Sequence, residues 1–199
     1  MVDAERKQQL FTLADQQAGY FTAAQARELG YSDRLIHHHK TFGNWLEVGW
    51  GLYRLRDYPT TPEEDLVRLY LWSRDKQGNP QAVVSHDTAL ALYELSDLMP
   101  SRYHLSVPPG FRKTPPQGVV LHKARLEPSE VDWRGGYRIT VPLRTLLDVT
   151  QSGISPEHIA EATRQALERG LVRRRVLEKA IQDLSEAQQF GFRVALEET

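Results

Sequence analysis

The chain has 199 residues, 40% hydrophobic and 26% charged, enough for one large domain or two small ones. It contains no cysteine, which excludes disulfides, thiolate metal sites and cysteine nucleophiles and fits a reducing cytoplasm. The formal net charge is -1, no apolar run approaches the roughly eighteen residues of a membrane span, and the start MVDAERKQQL has no apolar signal-peptide core.

Leu10, Leu13 and Ala14 form an apolar stripe at helical spacing, predicting a first helix over Ala4 to Gln16 that Gly19 breaks. Thr22 and Gln25 have capping-box spacing, so a second helix runs from Thr22 to Leu29, and Gly30 suits the left-handed residue that ends it. Ser32 caps a third helix from Asp33 to about Thr41. Two short helices about a glycine turn form a helix-turn-helix. WLEVGWGLYRL then reads as a hairpin around Gly49-Trp50, with glycine in the first central position of a type II′ turn. Helix, helix-turn-helix and hairpin in this order predict a winged helix.

In a winged helix the third helix enters the major groove of DNA. Leu35, Ile36 and His39 share the core side, which leaves Arg34, His37, His38 and Lys40 facing outward and Thr41 at the edge. The Arg34 fork matches O6 and N7 of guanine, while His37, His38 and Lys40 suit phosphate or mixed contacts. Trp50 at the hairpin tip suits a sugar or a minor groove, and Arg54 a phosphate. Up to residue 57 the basic side chains are balanced by acidic ones, so each module has modest affinity and works through dimers or paired sites. Consecutive helical residues point about 100° apart, so His37, His38 and His39 cannot converge on one metal ion. A module of this shape that docks another protein is the competing interpretation.

DYPTTPEED marks a boundary, giving a winged helix over 1–58 and a second domain over 59–199. Thr61 is the expected cap of the next helix, with Pro62 in its first position, Glu64 completing a capping box, Leu66, Leu69 and Tyr70 buried, and an end near Ser73. Ala82–Val84 reads as a short buried strand leading into a helix capped by Ser85. Extended segments follow at YHLSVP, GVVLHK, Val131–Trp133 and YRITVP, then helices from VPLRTLLDVT, from SPEHIAEATRQALERG and from Arg173 to Leu184. The class is α/β (α+β): a winged helix-turn-helix followed by a mixed domain with a small sheet flanked by helices.

Ser85-His86-Asp87 has the residue types of a hydrolytic triad, but adjacent residues cannot converge as a triad requires. Arg144 and Asp148 stand one helical turn apart and predict an ion pair along the helix. No phosphate-binding glycine loop, HExxH or paired-carboxylate cluster appears, so no enzyme activity, cofactor or metal is expected. RGLVRRR, from Arg169 to Arg175, concentrates positive charge where a helix dipole disfavours it. It is either a solvated helix start or a contact for a negative partner.

The ordered series GYFTAAQARELGYS, WLEVGWGLYRL, VVSHDTALALYEL, YHLSVP, VPLRTLLDV and QALERGLVRRRVL resembles the AbiEi antitoxin family of type IV toxin–antitoxin systems, over about residues 6 to 182. The resemblance implies a cytoplasmic repressor of its own operon that binds inverted repeats in promoter DNA, as a monomer in solution or a weak dimer on DNA. It also implies a C-terminal domain that counteracts a nucleotidyltransferase-like toxin, functionally or by contact. Arg169, Arg173, Arg174 and Arg175 match the family's basic surface, and Ser85, His86, Arg144, Thr145 and Asp148 fall in its motifs with structural roles. A stand-alone regulator with no toxin is the alternative. The His-rich third helix departs from the Arg- and Lys-rich family pattern, which implies weaker or pH-sensitive operator binding.

Overall fold

The computed structural model describes residues 2–95, 97 and 99–198. The chain divides into two compact units, residues 1–82 with 133–137, and residues 83–132 with 138–199. The first unit therefore runs on past residue 58.

In the first unit α1 (Val2–Asp15) leads to a short strand β1 (Tyr20–Thr22), then α2 (Ala23–Glu28), α3 (Asp33–Thr41), β2 (Trp45–Gly49), β3 (Leu52–Leu55) and α4 (Glu64–Trp72). The local signals read from sequence act as expected at both helix starts. The Thr22 side chain accepts from Gln25 N while the Gln25 side chain accepts from Thr22 N, a complete capping box. Ser32 accepts from Leu35 N, and Gly30 takes φ +87 between the two helices. The strands form an antiparallel sheet in the order β1-β3-β2, with Tyr20 opposite Arg54 and Trp45 opposite Leu55. Sequence reading missed β1. Its three residues are all buried, and it gives the hairpin a third strand.

The core joins Leu10 and Ala14 of α1, Phe21, Ala26, Tyr31, Ile36, Trp45 and Tyr53. Phe21 meets Trp45 edge-on at 4.8 Å between ring centroids. Truncating either ring to alanine would cost about 3–5 kcal/mol by the usual behaviour of buried aromatics.

Two local expectations are corrected. The hairpin is not the expected type II′ turn, because Gly51 rather than Gly49 takes positive φ, +59. The register also shifts between Glu47 and Gly49, so β2 holds one residue more than β3 there, a bulge that re-aims the turn. And α4 begins at Glu64, not after a Thr61 cap: Glu63 occupies the N-cap, and its side chain makes no capping bond. The Glu64 carboxylate is drawn to Arg54 (2.9 Å) and reaches Thr61 N only at 3.4 Å.

The second unit contains β4 (Val83–Val84), α5 (His86–Leu92), β5 (Tyr103–Val107), β6 (Val119–Lys123), α6 (Pro142–Val149), α7 (Pro156–Glu168), α8 (Arg174–Ala180) and α9 (Glu186–Glu198). Two further strands, β7 (Val131–Arg134) and β8 (Tyr137–Thr140), pass through residues assigned to both units. The sheet order is β6-β5-β4-β8-β7. β4 pairs antiparallel with β5 and parallel with β8, and β5 pairs parallel with β6. This mixed sheet with helices is the predicted α/β class.

A helical core of Leu90, Leu146, Val149, Ile159, Ala162, Ala166, Leu177 and Phe192 stabilises the second unit. The helix read as one stretch from Arg173 stops at Ala180 and tightens into a 3-10 turn over Ile181–Asp183. Sequence reading missed α9. Gly191 lies inside it because an added Cβ would stand 2.6 Å from Pro156 O and 2.9 Å from Ile159 Cβ, so the glycine lets α9 press against α7.

Candidate nucleic-acid interface

The candidate surface is built from α3 and the β2–β3 hairpin. Helical periodicity turns Ile36 into the core, half-buries Leu35 and His39, and leaves Arg34, His37, His38, Lys40 and Thr41 exposed. His39 stacks on Trp45, centroids 4.5 Å apart and planes 16° off parallel, and meets Tyr31 edge-on. Burial, then the neighbouring His38, lowers the His39 pKa, so this ring is held neutral as part of the fold.

The outward residues differ in how far they are engaged. Lys40 forms an ion pair with Glu47 of β2, whose hydrogen bond and charge raise the lysine pKa. Thr41 Oγ1 lies 3.4 Å from His37 Nε2, and the His38 ring packs on Phe42 with centroids 4.3 Å apart. Arg34, in the first turn of α3, forms no ion pair among the described residues. Trp50 is 95% exposed at the hairpin tip.

Arg54 does not belong to this surface. It is 9% exposed, donates to Glu64 Oε2 at 2.9 Å and to Pro59 O at 3.2 Å, and lies near the Tyr20 ring. The expected phosphate contact is thus replaced by an internal one. A hairpin strand facing water on one side would have exposed Arg54, but α4 supplies a carboxylate there.

The motif residues of the second unit form a separate, buried cluster. Ser85 is fully buried and makes no side-chain cap bond, against the expectation for it. Its Oγ accepts from Ser106 Oγ (2.8 Å) and lies 2.9 Å from His86 Nδ1. His86 holds a positive φ of +52, a conformation that few residues other than glycine adopt, although histidine is among those that do so more often. Its ring stacks on His122 with centroids 3.5 Å apart, and His122 Nε2 lies 3.2 Å from His104 Nδ1. Burial first, then His122, His104 and Arg144, lowers the His86 pKa to about 3. Burial likewise lowers those of His104 and His122, against the pull of Asp87.

Arg144 bridges Asp148 Oδ1 and Glu130 Oε1, both at 2.8 Å, so the predicted ion pair along α6 gains a second carboxylate. Burial raises the Asp148 pKa against the opposing effect of Arg144. Thr145 lies 2.7 Å from Thr140 Oγ1 and donates to Val141 O. Asp148 Oδ2 approaches His86 Nδ1 at 4.0 Å, the same nitrogen that Ser85 meets. A nucleophile–base–acid relay needs the serine and the acid on opposite ring nitrogens, so this cluster is not a triad. Histidine and carboxylate side chains thus lie close together here. Among the described residues no group of three or more such side chains is placed to hold a metal ion.

His104, His122, Glu130 and Ser106 escaped the sequence reading, and Asp87 was read only as a neighbour of His86 in the chain. Their signal is non-local: the parallel register puts Ser106 opposite His122 and His104 opposite Val120. The basic run is exposed, but Arg169 donates to Tyr93 O (2.8 Å) and Glu94 O (3.2 Å). Arg174 donates to Leu196 O (2.6 Å) and Glu178 (3.0 Å). Arg173 and Arg175 form no ion pair among the described residues and carry the outward charge.

Residues 8–56 match the model of a family described as "Transcriptional regulator, AbiEi antitoxin", so the resemblance read from the sequence holds over the N-terminal module. The fold resembles the crystal structure of the RV2827C protein from Mycobacterium tuberculosis, with a TM-score of 0.59 and 15% identity, over 94% of this chain and 74% of that one. At that identity the likeness is one of fold. No curated protein matches the chain in sequence. No helix among the described residues is long and apolar enough to cross a membrane.

Proposed function

We propose that this protein is a DNA-binding transcriptional regulator that represses its own promoter from paired sites and serves as the antitoxin to a nucleotidyltransferase-like toxin. One observation carries the DNA-binding reading: the first unit presents Arg34, His37, His38 and Thr41 on the exposed side of α3, beside a hairpin whose tip is Trp50. A helix of this size fits the major groove, and a bidentate arginine is the commonest reader of guanine. The family match supports the regulatory and antitoxin roles.

The test is a mobility-shift titration of the pure protein on a duplex from its own upstream region. Wild type shifts the duplex with a steep salt dependence, and Arg34→Ala with His37→Ala weakens binding at least tenfold. Unchanged affinity in the double variant overturns the assignment of α3. Toxicity of a co-expressed downstream nucleotidyltransferase-like gene, relieved by this protein, tests the antitoxin role.

A docking module for another protein is the second reading, favoured by the exposure of Phe42 (70%) and Leu46 (36%) beside the same surface. A stable protein complex together with no binding to any upstream duplex at low salt would favour it.

A further inference from the structure

The wing is commonly pictured as a hairpin that reaches DNA alone. Here a third element stands beside it. After α4 the chain folds into a closed loop over residues 73–82. Buried Ser73 fastens its base, donating to Tyr70 O (2.7 Å) and accepting from Gln81 N (2.9 Å) and Ala82 N (2.8 Å). The Asp75 carboxylate gathers Gln77 N and Asn79 N, both at 2.9 Å, and Gly78 makes the turn at φ +92. The loop is thus internally bonded, with Lys76 and Gln77 exposed at its tip.

Arg74 ties this loop to the hairpin. Its guanidinium donates to Leu71 O at the end of α4 (2.9 Å), and also to Trp50 O (2.6 Å) and Gly51 O (3.2 Å) at the hairpin turn. Gly51 O also accepts from Ala23 N at the start of α2 (2.9 Å). The turn is therefore gripped from two sides. Between α2, the turn and the loop lies a cleft of about 530 Å³, whose charged lining includes Arg27, Arg74, Lys76, Glu47 and Asp75. Both acidic groups are already engaged, Glu47 by Lys40 and Asp75 by its own loop. Arg27 is paired with Asp33 and Arg74 with carbonyls, while Lys76 has no ion-pair partner among the described residues.

We infer that the 73–82 loop is a third element of the nucleic-acid interface: Lys76 contacts a backbone phosphate beside the wing, and Arg74 is a positioning residue that fixes the angle at which Trp50 is presented. The inference rests on the DNA-binding reading and adds residues that the helix-turn-helix does not supply. An ammonium on a short, bonded loop suits a phosphate, since it needs charge and placement rather than the fork geometry that reads a base.

The test uses the full chain and a fluorescein-labelled duplex of its own upstream region, titrated across a series of potassium chloride concentrations. Lys76→Gln alters only an exposed side chain. It should weaken binding three- to tenfold and reduce the slope of log K against log salt by about 0.9, one phosphate contact. Arg74→Lys keeps the charge but loses the fork. It should speed amide exchange at Ala23 at least tenfold and shrink the affinity loss caused by Trp50→Ala. Wild-type slope and affinity in Lys76→Gln overturn the phosphate contact, and an undiminished Trp50→Ala loss in Arg74→Lys overturns the positioning role. If these variants bind as wild type while Arg34→Ala weakens binding, the loop inference fails and the α3 reading stands. If wild type binds no duplex at low salt, both fail.

Discussion

The outward side of α3 and the polar cluster beneath α5 and α6 use the same residue types to opposite ends. On α3, Arg34 and His37 stand in water, and Arg34 has no ionic partner among the described residues. In the second unit, His86, Ser85 and Asp148 are withdrawn from water, and with half-buried Arg144 they are turned on one another. Chemical richness in a motif is therefore a poor guide to which donors face solvent. Donors already committed inside the fold fix its geometry, and recognition falls to donors that remain available.

Acid should separate the two regions most strongly. The buried histidines have pKa values below that of an unfolded histidine, so the unfolded chain takes up protons first as pH falls. Their stabilisation is complete above about pH 6.5 and drains away toward about pH 3, the folded value of His86. The loss should be on the order of 3–5 kcal/mol at the acid end. Urea melts at stepped pH, followed by amide exchange in α5 and α6, would show it. A second unit as stable at pH 4 as at pH 8 would break the contrast.

Arg144→Met comes next. It strands the Asp148 and Glu130 carboxylates, and should destabilise the second unit by about 3 kcal/mol, while DNA affinity, measured where the protein remains folded, stays within twofold. Arg34→Ala is the mirror experiment: the melting curve should stay within about 0.5 kcal/mol while duplex binding falls by about 1–3 kcal/mol. If each variant affected both properties, the division of labour would be wrong. The smallest effect belongs to Lys40→Ala. Its pair with Glu47 is exposed on both sides and screened by solvent, so the melting curve should barely move. A binding loss as large as that of Arg34→Ala would show that the lysine leaves Glu47 for phosphate.

What the sequence disclosed was local. The Thr22/Gln25 box, the Ser32 cap and the Gly30 turn are written within a few neighbouring residues, and α2 and α3 form where those signals stand. Arg54 was misjudged because its environment is set by Glu64, ten residues on, in a helix that approaches the strand only after folding. The histidine stack was hidden for a similar reason, since His86, His104 and His122 meet only through a parallel register and a crossover. The last helix was hidden by the glycine that seats it: Gly191 weakens a helical signal in isolation and is needed only where α7 is close.

That glycine carries a consequence for α9. With no side chain at 191, the two helix backbones act as shims for each other, and one methyl would work as a wedge. Shape rather than polar bonding seats Phe192 there, fully enclosed. Removing α9 (Glu186–Glu198) would unroof that pocket and wet the oil beneath it, so this helix is a lid on the core.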